Sequence, residues 1–256
     1  MITSNRLRAE LVFSVILALS AAGCSQTSSE NVTTQGVHAD IRVIAEGNGA
    51  TVVKVQLEVG SGGPARTMID LAPGDSLTAT ANGIQRTMTK DASIVGEIEY
   101  WTSYAFDDAD TQFVVSFNRN NGVSAPNSNV KLPEGFTVLL PLSGTVFTRG
   151  QVIGVVWAPS GTAVVPSVSL TVDCVLTTGV FISETRNLSP AIDSGASSIA
   201  VSSVIPAGPI DTGQLCDATL YLSRQQFGNL DPNYGEGGRI SAEHHKRATF
   251  LINPAL

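Results

Sequence analysis

The feature that most constrains the fold is an alternation of apolar and polar residues at period two. It recurs in short segments, at 38–45, 53–59, 98–106 and 111–117. Such alternation is typical of β-strands that bury one face and leave the other in water. Turn signals separate the segments, and Asn82-Gly83 is a pair that closes two-residue hairpins. No long segment repeats at a helical period, so the sequence predicts an all-β fold.

A further alternating stretch, 136–157, predicts the border between two β-sandwiches. Its predicted inward positions are Phe136, Val138 and Leu140 on one strand and Ile153, Val155 and Trp157 on the next. Between them, Pro141 should end strand pairing, while Ser143-Gly144 and Gly150 should form turns. One sandwich is therefore expected to end just before this stretch and a second to begin within it.

Composition along the chain gives the predicted domain borders. Residues 25–35 have almost no apolar side chains, so they cannot offset the entropy cost of folding. Residues 120–133 are rich in Asn, Pro and Gly, which is typical of loops. The prediction is two tandem antiparallel β-sandwiches, with a signal peptide at 1–23, a flexible tether at 24–36, the first sandwich at 37–120, a linker at 121–133 and the second sandwich at 134–256.

The N-terminus has the pattern of a secretory signal. Arg6 and Arg8 precede an apolar run at 11–22. This run is about a dozen residues long, whereas a membrane-spanning helix needs about 20. Residues 1–23 are therefore expected to be removed.

The end of the apolar run, Leu19-Ser20-Ala21-Ala22-Gly23-Cys24, resembles the lipobox of bacterial lipoproteins. This resemblance implies that Cys24 is diacylated, becomes the mature N-terminus and anchors the protein in membrane lipid. Ser25 after the cysteine is similar to the sorting signal of Gram-negative lipoproteins that reach the outer membrane, which implies that location. The alternative is an ordinary secretory signal in which Cys24 is incidental.

Charge narrows the classes of partner. The formal net charge is −7, and loss of residues 1–23 would bring it to about −8 because two Arg and one Glu leave. Nucleic acid binding calls for clustered Lys and Arg, and an acidic body is repelled by anionic headgroups. Nucleic acid is therefore not an expected partner.

Residues 133–253 resemble a known class of surface module. The opening Pro141-x-x-Gly144, then Gly150, then Trp157 at the end of an alternating strand, resembles immunoglobulin-like modules of secreted surface proteins, including fungal cell-wall modules. The resemblance implies an immunoglobulin-like sandwich in which Trp157 is packed core. It implies no activity.

Cys174 and Cys216 are the predicted disulfide. Once Cys24 carries lipid, these two cysteines remain in an oxidising compartment. Each cysteine falls on the same alternate positions as the apolar residues of its own strand, so both should face the second core. If their strands are antiparallel neighbours, the pairing sets Val172 opposite Ala218 and Leu170 opposite Leu220. Cysteines facing each other from opposite sheets would serve equally well, and two buried free thiols are the remaining alternative.

Residue types used in catalysis are present without a convincing spacing. His244 and His245 are adjacent, so on a strand they point to opposite faces. Both are predicted to be solvated, and His38 lies on the predicted polar face of its strand. No G-x-S-x-G motif marks a nucleophilic serine. The chain is therefore not expected to be an enzyme.

Two features could bind a ligand. Asp231, Asn233 and Glu236 lie in a loop whose glycines would let its backbone wrap a calcium ion. The loop lacks the EF-hand order, however, and the simpler interpretation is that these side chains contact only water. No other cofactor is expected. Trp101 has outward parity and could stack on a sugar or dock a partner, unless a loop or the second sandwich covers it.

These observations favour a non-enzymatic, outer-membrane-anchored surface lipoprotein with a structural or protein-interaction role, whose partners are membrane lipid through Cys24 and an envelope protein or glycan. A carbohydrate-binding module is the alternative, and a hydrolase comes third. An interaction protein should show an apolar patch or a free edge strand, and a sugar binder should show a row of aromatic rings around Trp101. A hydrolase needs a cleft with convergent Ser, acid and His side chains.

Overall fold

The computed structural model describes residues 25–60, 67–92 and 97–255. The predicted signal peptide and Cys24 lie outside these residues. Strands make up 57% of the structure and helices 4%, which confirms the all-β prediction. Within the described ranges, no helix combines the length and apolar character needed to cross a membrane.

Eighteen strands are present in the described part of the chain. They are β1 Ser25–Ser28, β2 Val37–Ala45, β3 Thr51–Val59, β4 Thr67–Asp70, β5 Ser76–Ala81, β6 Ile84–Thr87, β7 Thr89–Ala92, β8 Ile98–Tyr104, β9 Gln112–Asn118, β10 Ala125–Lys131, β11 Thr137–Leu140, β12 Val146–Thr148, β13 Val152–Ala158, β14 Ser167–Val175, β15 Phe181–Asn187, β16 Ala196–Ala200, β17 Cys216–Phe227 and β18 Gly238–Asn253. Short 3₁₀ turns occur at Ser29–Asn31, Thr34–Gly36 and Val201–Ser203.

The strands form two β-sandwiches, as predicted, although the pairs β1–β4, β12–β18 and β2–β18 are parallel and depart from the predicted antiparallel arrangement. An eleven-stranded sheet runs through both of them. Over one half of it packs the four-stranded sheet β10-β9-β5-β6, and this pair of sheets encloses the first core. Over the other half packs the three-stranded sheet β11-β13-β16, which encloses the second core.

The strand that joins the two sandwiches is β18. Its first half, Gly238–His244, pairs in parallel with β2, and the segment from Ser241 to Ile252 pairs antiparallel with β17. Tyr234, Ile240 and Ala242 belong to the first core, although the predicted border assigned them to the second sandwich. The predicted range 134–256 is therefore wrong as a separate unit, because its C-terminal part completes the first sandwich.

The predicted linker at 121–133 contains a strand. Residues Ala125–Lys131 form β10, which pairs antiparallel with β9. Ala125, Val130 and Leu132 are buried in the first core, while the polar residues that suggested a loop occupy mostly exposed or half-buried positions. These few apolar side chains are enough to hold the segment because β9 provides a complete strand edge for pairing.

The predicted flexible tether is also ordered where it is described, from Ser25 to Gly36. Strand β1 pairs in parallel with β4, and Ser29 and Thr34 are buried. The order comes mainly from polar contacts, while Val32 also packs against the first core. The buried Arg119 guanidinium donates to Val32 O at 2.7 Å and also to Ser29 O and Thr34 Oγ1.

Burial follows the predicted alternation along most strands. In the border stretch, Phe136, Ile153, Val155 and Trp157 are buried as predicted. Leu140 is 45% exposed, so its predicted inward orientation is wrong. The register of β11 against β13 shifts between Val138 and Leu140, and this irregularity breaks the period-two rule at that point.

The predicted hairpin at Asn82-Gly83 is present. Ala81 pairs with Ile84, and the two turn residues have φ values of 49° and 75°. Both angles lie in the left-handed region that a type I′ turn requires, and Asn followed by Gly is the pair that adopts it at least cost.

Candidate interaction surface

Strand β15 is the free edge of the eleven-stranded sheet. It pairs only with β14, in an unbroken register from Val175 opposite Phe181 to Ser169 opposite Asn187. Other edges are shorter or interrupted: β1, β6 and β11 have four residues each, and the β10 register shifts between Ala125 and Ser128. In the described part of the chain, β15 is thus the longest regular edge open to another strand.

The backbone groups on the open side of β15 can be identified from its pairing with β14. Leu188 N donates to Val168 O at 2.7 Å and Leu176 N donates to Val180 O at 2.8 Å, so even-numbered positions point their backbone groups at β14. In an antiparallel ladder the alternate residues point theirs away. The backbone groups of Ser183 and Thr185 therefore face outward, and no backbone hydrogen bond from another described segment reaches them.

The side chains of β15 leave this edge uncovered. Glu184 and Arg186 lie on the core-facing side of the strand, where Arg186 Nη2 is 3.1 Å from Glu184 Oε1. Thr185 lies on the outer side, with its hydroxyl 3.0 Å from that of Thr171. β15 contains neither Pro nor Lys, and its inward-pointing charges, which can also protect an edge, are engaged within the chain, since Arg186 Nε donates to Ser203 O at 3.2 Å.

An exposed apolar tip lies at the start of β15. Phe181 is 78% exposed, and Val180 and Leu215 are 57% and 47% exposed. The Cys174–Cys216 disulfide holds this end of the sheet together. The edge and the tip provide the free strand and the apolar patch that an interaction protein should show.

The disulfide and its register are as predicted. The structure contains the Cys174–Cys216 bond, and Val172 lies opposite Ala218 and Leu170 opposite Leu220. The cysteines lie on the antiparallel neighbours β14 and β17, which decides between the two arrangements that the sequence left open.

The candidate edge is far from the N-terminal end of the body. Ser25 on β1 pairs with Thr67 on β4. Because Met68 on β4 pairs with Glu58 on β3, Ser25 and Thr67 lie at the end of the sheet where β2 and β18 begin. Phe181 lies at the other end, at the level of the last residues of β18 but separated from them by β14 and β17. The 16 residues of β18 run between these ends, and at a rise of about 3.3 Å per residue they span about 50 Å.

A buried ion pair fixes the border between the sandwiches. The Arg224 guanidinium donates to Asp193 Oδ2 at 2.8 Å and to Gly135 O at 3.2 Å, and both charged side chains are buried. Trp157 Nε1 donates to Asp193 Oδ1 at 2.8 Å. Burial raises the pKa of Asp193, but hydrogen bonds from Trp157 and Thr162 and the charge of Arg224 outweigh it, so the pKa is lowered overall. Sequence reasoning missed this pair, although Arg224 has the inward parity of Leu220 and Leu222.

Trp101 projects outward, as predicted, and is 40% exposed. Its cross-strand neighbours are Lys54 on β3 and Thr89 on β7. Glu99 on the same face pairs with Lys54 Nζ at 2.6 Å. Trp101 takes part in none of the aromatic pairs of the described residues. Its surroundings are thus charged, without the row of rings that the sugar-binding hypothesis requires.

The suggested calcium ligands have other contacts. Asp231 is buried, and its carboxylate accepts from Asn127 N at 2.8 Å and Asn233 N at 2.9 Å. Asn233 Nδ2 donates to Ser124 O at 2.7 Å, and Glu236 is exposed. Among the described residues, no group of three or more His, Cys, Asp or Glu side chains is arranged to hold a metal. Asp231 thus attaches this loop to β10, and Asn233 attaches it to Ser124 just before that strand.

The adjacent histidines differ from the prediction that both are solvated. His244 is 3% exposed, and its Nε2 lies 3.1 Å from Asp107 O. Burial lowers the pKa of His244, against the opposing effect of Asp107. His245 lies on the opposite face, as predicted, with Nδ1 3.3 Å from Glu243 Oε1.

No protein-family model and no curated protein matches the sequence. The solved structures that it resembles include a titin structure, with 10% identity over 86% of this chain and 99% of that chain and a TM-score of 0.25. They also include fibronectin(III)-like modules of Clostridium thermocellum CbhA, with 10% identity over 85% and 90% of the two chains and a TM-score of 0.24. The Yersinia pseudotuberculosis adhesin InvE shares 15% identity over 85% of this chain and 59% of its own, with a TM-score of 0.23. At these TM-scores the likenesses carry no argument about function.

Proposed function

We propose that this protein is a non-enzymatic lipoprotein, anchored in the outer membrane through acylated Cys24, that docks an envelope partner through strand β15. The observation that carries the proposal is the unbroken free edge of β15, whose outward backbone groups can add a strand from a partner.

The position of the edge supports this role. Cys24 directly precedes Ser25, so an acyl anchor would hold the end of the body opposite to Phe181. β15 would then project away from the lipid, at the end of a sheet about 50 Å long. The acidic charge of the chain also disfavours contact with anionic headgroups.

Sugar binding through Trp101 has less support. Stacking on a sugar ring uses exposed aromatic faces, and the neighbours of Trp101 in the sheet are Lys54 and Thr89. A Trp101→Ala variant is therefore expected to leave partner docking unchanged.

Photo-crosslinking in intact cells tests the proposal. A photoreactive residue at Thr185, on the free edge, should give adducts of higher mass. Thr249 is the matched control, because it is an exposed threonine on the outer face of β18, which is paired with β17. Adducts from both positions alike, or from neither, would contradict docking at the edge.

Fractionation with labelled palmitate tests the anchor separately. The wild type should carry label and sediment with the outer membrane, and Cys24→Ala should lose both properties. An unlabelled, soluble wild type would contradict the anchoring part of the proposal.

A further inference from the structure

The structure assigns a partner to the β15 edge: we infer that β15 pairs antiparallel with β15 of a second copy of this chain, across a two-fold axis at Thr185. This inference rests on the docking role proposed above and names the partner. It is carried by the backbone pattern of the edge and by the positions of its two charged residues.

Symmetry restricts the possible registers. When two copies extend one sheet about a two-fold axis perpendicular to it, each side chain stays on the same face of the sheet. Two residues that lie opposite each other must therefore both be odd-numbered or both be even-numbered, so the sum of their residue numbers is even. The outward backbone groups belong to the odd positions, including Ser183, Thr185 and Asn187. Even sums place odd positions opposite odd positions, so the outward donors and acceptors of the two copies meet.

Charge selects one register among these. Glu184 and Arg186 are the charged residues of β15. A sum of 368 would place Glu184 against Glu184, and a sum of 372 would place Arg186 against Arg186. The sum of 370 places each Glu184 opposite an Arg186, so the four charges of the two copies form two pairs of opposite sign.

The same register satisfies the backbone. Thr185 faces its own copy and Ser183 faces Asn187, which forms about six interstrand hydrogen bonds. The charged residues then occupy the close, non-hydrogen-bonded pairs, where side chains of opposite strands interact best. β15 carries one negative and one positive residue, so the acidic charge of the whole chain does not concentrate at this edge.

The pairing places the acyl anchors of the two copies at opposite ends of the dimer, because antiparallel copies point in opposite directions along the strands, so it joins copies that project from facing surfaces. The two-fold axis is perpendicular to the sheet, so the two copies join edge to edge and extend one continuous sheet. The Ser25 end of each copy lies away from β15, both along the strands and across the sheet. The pairing therefore involves no residue of the anchored end.

Charge exchange tests the pairing directly. The test uses the chain from residue 25 onward, which contains every described strand of both cores, and measures its mass by sedimentation equilibrium. The wild type should be a dimer. Glu184→Arg and Arg186→Glu should each be monomeric, because each places like charges opposite each other. The double variant Glu184→Arg/Arg186→Glu should dimerise again, and an equimolar mixture of the two single variants should form a mixed dimer.

Cysteine trapping tests the register. Under oxidation, Thr185→Cys should form a covalent dimer, because residues that face their own copy in a hydrogen-bonded pair have Cα atoms about 5.5 Å apart, within disulfide range. Asn187→Cys is the matched control. Its two copies would lie about 13 Å apart, four residues out of register, and should stay uncrosslinked.

A monomeric wild type, or single charge variants that dimerise like the wild type, would overturn the inference. Equal trapping of both cysteine variants would overturn the register. These outcomes are separable from failure of the proposed function, because the dimer is measured without lipid. A monomeric body whose Thr185 still crosslinks to another envelope protein in cells would retain the docking role and exclude a second copy as the partner.

Discussion

Arg224 and Asp193 show how single side chains hold the border between the two cores. Each is buried, and together they connect Gly135, before β11, with Trp157 on β13 and with β17. A buried charge that loses its partner is far more costly than the intact pair is favourable. The pair therefore makes the border sensitive to a single substitution.

Asp193→Asn should lower the free energy of unfolding by about 3–5 kcal/mol, because it leaves the Arg224 charge buried without its partner. Denaturant unfolding at neutral pH measures this. Asp217→Asn, at an exposed position on β17, is the control and should change stability by less than about 0.5 kcal/mol.

The cost of Asp193→Asn should depend on pH. Because the pKa of Asp193 is lowered in the folded state, its contribution is fully present above the unfolded-state value of about 3.9 and is lost as pH falls through the folded value. The difference between wild type and variant should therefore shrink below about pH 4. A difference that stays constant to lower pH would contradict ionised Asp193 as the source.

The Cys174–Cys216 disulfide closes a loop of 42 residues. On the chain-entropy argument, its removal should lower the free energy of unfolding by about 4 kcal/mol. Unfolding of the wild type with and without reductant measures this loss. Reductant should not change Cys174→Ala/Cys216→Ala further, and a wild type indifferent to reductant would show that the bond does not contribute.

At the scale of elements, polar contacts order the segment Ser25–Gly36. Ser29 Oγ donates to Asp75 Oδ2 at 2.7 Å, and Asp75 lies 3.5 Å from Arg119 Nε. Sequence reasoning could not find this, because a hydroxyl-rich segment gives no hydrophobic pattern and its partner is about 90 residues away along the chain. The strands β2, β8 and β14 were easier to predict, because the alternation of apolar and polar residues is visible within each strand's own sequence.

Arg119→Ala should release this segment. The wild type is expected to resist limited proteolysis between residues 29 and 35, whereas the variant should be cut there first, because three backbone and side-chain acceptors lose their donor. Arg149→Ala, at an exposed turn, should be cut like the wild type. Early cleavage of the wild type at 29–35 would show that the segment is a flexible tether after all.

At the scale of the whole molecule, β18 makes one sheet out of two sandwiches. Its pairing with β2 joins segments about 200 residues apart. Local alternation predicted β2 and a final strand near residues 248–252, but not the half of β18 that pairs with β2, and it could not show that one strand serves both cores, since parity carries no information about the neighbouring strand. This shared strand also keeps β15 at a fixed distance from the Ser25 end, which the docking proposal requires.

Transmission of instability from one core to the other tests whether β18 couples the two sandwiches. In a Trp101→Phe background, the fluorescence of Trp157 reports the second core alone. Phe113→Ala, a buried deletion in the first core, should cost about 3–5 kcal/mol. Because β18 couples the cores, the urea midpoint reported by Trp157 should fall with it, in a single transition. A Trp157 transition unchanged by Phe113→Ala would show that the two sandwiches unfold independently and would contradict the account.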